Sequence, residues 1–171
     1  NLCACNLVTL WSPVYGDLEL EKFGLEMLTS SEWGMFHPFK DRSAVLFHSW
    51  NPRKQYEHFA SIDAHDAEVF KTLYNTLAPG MSDALQLMLF SQAARSPEEA
   101  EGPGGLTSLL RQLLPGIPAN AHELTGIELV EAVYRNEKIR TALLTNGVMM
   151  GALPWNRGED ALMSLLFPVI Q

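Results

Sequence analysis

The hydrophobic pattern changes period at Asn51-Pro52, and that change constrains the fold more than any other feature. Before it, two aromatic-rich runs, "WGMFHPF" and "AVLFHSW", flank the polar stretch Lys40-Asp41-Arg42-Ser43. Apolar runs of this length around a polar turn predict a β-hairpin. Pro38 lacks an N–H for a ladder, so the first strand is expected to be an edge or a broken strand. After Asn51-Pro52 the apolar residues recur at helical spacing, and Asn-Pro is itself a helix-start signal. The chain is therefore expected to be α+β, mainly helical with a small antiparallel hairpin.

Helix limits can be read from capping residues and breakers. In "SIDAHDAEVFKTLYNTL", Asp63 is an N-cap with Asp66 three residues on, and Ala67, Phe70, Leu73, Tyr74 and Leu77 form the buried stripe. Pro79-Gly80 is expected to stop this helix, with "MSDALQLMLFSQAA" forming the next one. "RSPEEAEGPGG" reads as a loop, and "LTSLLRQLL" as a short amphipathic helix ended by Pro115-Gly116. In "NAHELTGIELVEAVYRN" the expected cap is Asn120 with Glu123, and the stripe is Leu124, Ile127, Val130, Val133 and Tyr134. "NEKIRTALLTNG" is a helix with Gly147 just past its end, and "NRGEDALMSLLF" starts from Asn156 with Glu159. Near the start of the chain, Ser12-Pro13 opens a helix on which Val14, Leu18 and Phe23 share one side. Gly24 ends it in the left-handed conformation, and Leu25 follows as the apolar contact.

Composition excludes several functions. The 171 residues carry 12 Lys and Arg against 20 Asp and Glu, a net charge of -8. Such a surface repels nucleic-acid phosphate, so a nucleic-acid partner is not expected. No apolar run reaches the ~18 residues of a membrane span. Cys3 and Cys5 alternate across an extended strand, which is poor geometry for a bridge, and they read as core residues. The glycines of "EGPGGLTSLL" follow an acidic stretch rather than a strand, so they do not form a phosphate loop. His58, Asp63, His65 and Asp66 are ligand-type residues close in sequence, but helix capping accounts for both aspartates, and no metal is assigned. No G-x-S-x-G elbow or other nucleophile motif is present, and no catalytic residue is assigned. What stands out is apolar: Leu85, Met88 and Leu89 on one helix, five leucines in nine residues around Leu110, and the adaptable methionines. Together these could line a pocket for a large apolar ligand.

"SPVYGDLELEKFGLEML", then "HPFKDRSAVLFHSW", then "FASIDAHDAEVFKTL" resemble the phytoene dehydrogenase-like oxidoreductases, within the wider amine oxidase and carotenoid desaturase superfamily. The matching positions are Pro13, Leu18, Leu20, Gly24 and Leu25, the hairpin "PFKDRSAVLF", and the helix opening at Phe59, Ser61, Asp66 and Ala67. "IRTALLTNGVMMGALPWNRGEDALMSLL" is similar to the end of the family's central region. The resemblance spans most of the chain but includes neither the family's dinucleotide fingerprint nor its later glycine-rich segment. It implies that residues 1–171 are one substrate or cap domain of a longer flavoprotein, residues 1–50 contributing a helix and hairpin and 51–171 the helical part. The implied parent is an FAD-dependent oxidoreductase moving a hydride between flavin and an apolar C–C bond. The implied partners are the FAD-binding domain of the same chain and an apolar small molecule. FAD is expected in the parent and not on this chain alone. By the same resemblance Asn6–Pro13 lies near the flavin, with Trp11 against the substrate and Leu85, Met88, Leu89 and Leu110 as the opposing wall. The competing expectation is a helical binding or interaction module without chemistry.

Overall fold

The structure is a computed structural model that describes residues 16–26, 34–48, 51–90, 117, 120–149 and 151–170. Among these residues the fold is α+β, with five α-helices and one two-stranded antiparallel sheet. β1 (Met35–Pro38) pairs with β2 (Ala44–Phe47), Met35 opposite Phe47 and Pro38 opposite Ala44. Alternation along β2 buries Val45 and Phe47 completely, as a strand with one face on a core requires. In the turn, Asp41 accepts hydrogen bonds from the Ser43 N–H at 3.1 Å and its hydroxyl at 2.7 Å. Lys138, 97 residues away from Asp41, joins the same cluster by bonding Asp41. It also donates to Ser43 Oγ at 2.7 Å. The Lys138 ammonium, then the Ser43 donors, hold the Asp41 carboxyl well below the usual carboxylate range.

α1 (Pro52–Ile62) begins as its sequence requires. Asn51 accepts from the Lys54 N–H at 3.0 Å, and Pro52 fills the first turn, where no N–H is needed. The helix then serves the free edge of β2. Gln55, buried, accepts from the His48 N–H at 2.7 Å and donates to the Leu46 carbonyl at 3.2 Å. The Leu46 N–H donates to His58 Nε2 at 2.9 Å. Backbone groups that an edge strand would leave open are thus paired with side chains of the covering helix. His58 can accept this bond only when neutral, and burial, with the neighbouring His48, pushes its pKa below the usual value.

Asp63 is extended (φ −153°, ψ 119°), ends α1 and starts α2 (Ala64–Phe90). Its Oδ1 accepts from the N–H groups of His65 and Asp66 at 2.9 and 3.1 Å. The expected cap is therefore present. Ala67, Phe70, Leu73 and Leu77 are buried, and Tyr74 is half-buried. The expected break at Pro79-Gly80 is absent: α2 runs through Pro79 as one helix of 27 residues. A proline in a helix forfeits one backbone bond, here to the carbonyl of Asn75. Both Pro79 and Asn75 are exposed, so water can serve that carbonyl.

Three other expected limits are shifted. Asn120 precedes only a 3-10 turn, Ala121–Glu123, and its side chain makes no capping bond. The helix α3 (Gly126–Val133) starts from Thr125, which forms a capping box with Glu128. Its buried face is Gly126, Leu129 and Val130, whereas Ile127 is exposed, so the expected stripe was one position out of phase there. Gly147 lies inside α4 (Glu137–Met149), and the left-handed glycine past its end is Gly151 (φ 90°). Gly147 is required by packing: a Cβ there would sit 2.5 Å from the Ser164 hydroxyl on α5 (Glu159–Ile170). Asn156 lies two residues before Gly158, the residue ahead of α5, and its carbonyl accepts from the Gly126 N–H at 3.1 Å, tying the start of α3 to this turn. Near the beginning of the described chain, Gly24 (φ 85°) does end a turn of 3-10 helix, Leu20–Phe23, with the Leu25 N–H bonded to Leu20 O at 3.2 Å. Leu18, Phe23 and Leu25 are nevertheless exposed rather than packed as a stripe, and Ser12, Pro13 and Val14 lie outside the described residues.

The core is continuous from the hairpin to α5. Phe47, Phe59 and Phe70 meet edge to face at 5.9 and 5.7 Å, linking β2, α1 and α2. α5 packs on α2, α3 and α4, burying Leu162 and Leu165 against the side occupied by Leu129, Ile139 and Leu143.

Two expectations follow. Gly147→Ala gains up to about 1 kcal/mol of helix propensity but overpacks the α4–α5 contact at a typical cost of about 1–3 kcal/mol. It should lower stability in urea melts alone, and become neutral or stabilising in a Ser164→Ala background. A result independent of that background would disprove the contact. For His58 the folded pKa is depressed, so its stabilisation is full above the ordinary value of 6.5 and is lost as pH falls through the folded value. Melting temperature should drop with pH in that window, and His58→Gln should flatten the drop.

Candidate functional site

The first turn of α2 carries a buried carboxylate. Asp66 is fully buried, and it does not complete a capping box with Asp63 as its spacing suggests. It reaches across the fold instead. Oδ1 accepts from the Arg135 N–H at 2.8 Å and Oδ2 from the Asn136 N–H at 2.9 Å, contacts spanning 69 and 70 residues. Asn136 in turn caps α4, its side chain accepting from the N–H groups of Lys138 at 2.9 Å and Ile139 at 3.3 Å. The same Asp66 Oδ1 lies 3.1 Å from His65 Nδ1, and the His65 side chain is 37% exposed. With Nδ1 as the donor to the carboxylate, Nε2 is left available. Beside them Tyr134 is buried, and its phenolic oxygen has no partner among the described residues. Burial, then the Asp66 charge, pushes the Tyr134 hydroxyl far above its usual value, so it stays neutral.

This junction lies beside an open cleft of about 470 Å³ between the first turns of α2 and the end of α3. Val69, Leu73, Ile117, Ala132 and Val133 supply its apolar lining. His65, Glu68, Thr72, Glu131 and Arg135 supply the polar part. Glu68 accepts from the Tyr56 hydroxyl at 2.6 Å and from Lys71 at 3.3 Å, which hold its carboxyl below the usual range. Glu131 faces Arg140 at 3.8 Å. The Arg135 guanidinium has no ion-pair partner among the described residues, because only its backbone N–H is used by Asp66.

The ligand atoms of Asp63, His65 and Asp66 lie within 4.8 Å of one another, a spacing a cation could use. Asp63 Oδ1 and both Asp66 oxygens already accept backbone N–H bonds, so this group is explained as helix-start chemistry. His58, the fourth ligand-type residue of that stretch, is committed to β2.

Of the pocket residues expected from sequence, the structure describes the backbone position of three. Leu85, Met88 and Leu89 fall on the last turns of α2, whereas the cleft uses its first turns. Trp11 and Leu110 lie outside the described residues, as do Cys3, Cys5 and the glycines of 102–105. Sequence reasoning missed Arg135, Tyr134 and the role of Asp66. Only the T-x-x-E spacing of Thr125 and Glu128, which locates the end of α3 by locating its start, could have pointed there. Among the described residues no helix is long and apolar enough to cross a membrane. Comparison with known proteins gives no matching family, no matching curated relative and no matching solved structure.

Asp66→Ala should leave the N–H groups of Arg135 and Asn136 without acceptors, at roughly 1–3 kcal/mol each. Asp63→Ala, losing only a cap, should cost about 1 kcal/mol. Urea denaturation that ranks the two variants equally would show that the Asp66 contacts do not bear on stability.

Proposed function

We propose that this chain is the substrate-binding part of an FAD-dependent oxidoreductase acting on an apolar substrate. The observation that carries the reading is the cleft beside Asp66. Its volume of about 470 Å³ is within the roughly 300–1,000 Å³ of small-molecule sites. Its lining combines apolar side chains with a few polar groups. The resemblance of the hairpin and of the Phe59–Ala67 stretch to phytoene dehydrogenase-like enzymes supplies the reaction class.

The described residues do not fit FAD. A pyrophosphate needs a helix N-terminus with free N–H groups and no competing negative charge. The first turns of α2, α3 and α4 carry Asp66, Glu128 and Glu137, and α5 begins with Glu159 and Asp160. The N-terminus of α1 is closed by Asn51 and Pro52. In this reading the flavin belongs to another part of the same polypeptide, and the role of these residues is to bind the substrate and exclude water from it.

The test uses the chain alone and a longer polypeptide that carries it. The chain alone should show no flavin absorbance, and the longer polypeptide should. Ala132 is exposed at the cleft, so Ala132→Trp fills the space without disturbing the core. In the longer polypeptide it should slow anaerobic flavin reduction by at least about tenfold, equivalent to ~1.4 kcal/mol of barrier, with flavin content unchanged. A colourless longer polypeptide, or reduction indifferent to Ala132→Trp, would remove the proposal.

A further inference from the structure

Charge pairing around the cleft is uneven, and the unevenness specifies a ligand. Among the described residues, its two lining carboxylates are engaged, Glu68 with Tyr56 and Lys71, and Glu131 with Arg140. The lining arginine Arg135 is not: it is exposed, and its side chain has no partner among the described residues. His65 is at the same end, because Asp66 Oδ1 receives both the Arg135 N–H at 2.8 Å and the His65 imidazole at 3.1 Å. The same cleft is lined by Val69, Leu73, Ile117 and Val133. We infer that the cleft takes an amphipathic acid, an elongated apolar molecule whose terminal carboxylate is held by the Arg135 guanidinium while its body lies on Val69, Leu73, Ile117 and Val133.

The chemistry favours a carboxylate over other head groups. A guanidinium presents paired N–H donors in a plane that matches a carboxylate, and the charged pair is stronger than a neutral hydrogen bond. A cationic head group would meet Arg135 as a like charge and would find both carboxylates already occupied. A wholly apolar molecule would leave the Arg135 guanidinium without a partner and so gain nothing from it. The inference rests on the proposal that this cleft is the ligand site and narrows its substrate class.

Arg135 also offers a clean variant. Among the described residues the fold uses only its backbone N–H, so Arg135→Met keeps the Asp66 bond and removes the charge. The experiment is calorimetric titration of the 171-residue chain with decanoate and with decan-1-ol. Decanoate should bind about tenfold or more tightly than the alcohol, the effect of one charged hydrogen-bonding pair. Arg135→Met should bring the acid to the affinity of the alcohol, with the melting temperature unchanged. Ala132→Trp should abolish binding of both. Equal affinities in the unaltered chain, or an acid preference that survives Arg135→Met, would overturn the head-group inference while leaving the cleft as an apolar site. Binding that survives Ala132→Trp, or no binding of either probe, would overturn the cleft reading together with this inference.

Discussion

The buried carboxylate of Asp66 is the contact on which the rest of the described fold depends. A charge removed from water must be compensated by close donors, and here the compensation comes from two backbone N–H groups about seventy residues further along the chain. Those donors precede α4, so satisfying the charge also fixes where α4 starts. Asn136 then caps the helix from the same point. The start of α2, the end of α3 and the start of α4 are thereby brought to one place, and the cleft opens beside it. Fold and candidate site share this junction.

A second set of polar bonds secures the hairpin. A two-stranded ribbon is marginal alone in water and needs a covering element. α1 provides it twice over, with Phe59 against Phe47 in the core and with Gln55 and His58 on the outer edge of β2. Lys138 fastens the turn to α4. The hairpin is therefore held at its face, at its edge and at its tip by three different kinds of interaction, all supplied by helices.

Local chemistry was legible in the sequence, and distant partners were not. The hairpin, the Asn51-Pro52 start of α1, the Asp63 cap and the buried face of α2 follow from neighbours within a few residues. Pro79 misled because a proline stops a helix only when the lost bond cannot be replaced, and that depends on exposure. Gly147 misled because its small size answers Ser164, a residue on another helix, rather than a turn. Asp66 misled for the same reason: its spacing from Asp63 describes a cap, and its true partners lie across the fold. Leu85, Met88 and Leu89 were expected at a pocket from apolar composition, and their side chains lie outside the described residues. The cleft at the start of α2 combines apolar surface with a few polar groups, a pattern that tertiary structure assembles.

The way Asp66 engages position 135 has a consequence for sequence drift. The carboxylate needs an N–H there, which every residue except proline supplies, and it makes no demand on the side chain. On the inference that the Arg135 side chain holds a ligand's head group, selection on folding and selection on ligand preference act on different atoms of the same residue. Side chains at 135 can be exchanged without approaching the stability threshold that limits most substitutions near a buried charge. A lineage carrying this junction could change the head group it accepts in a single step while keeping its scaffold unaltered.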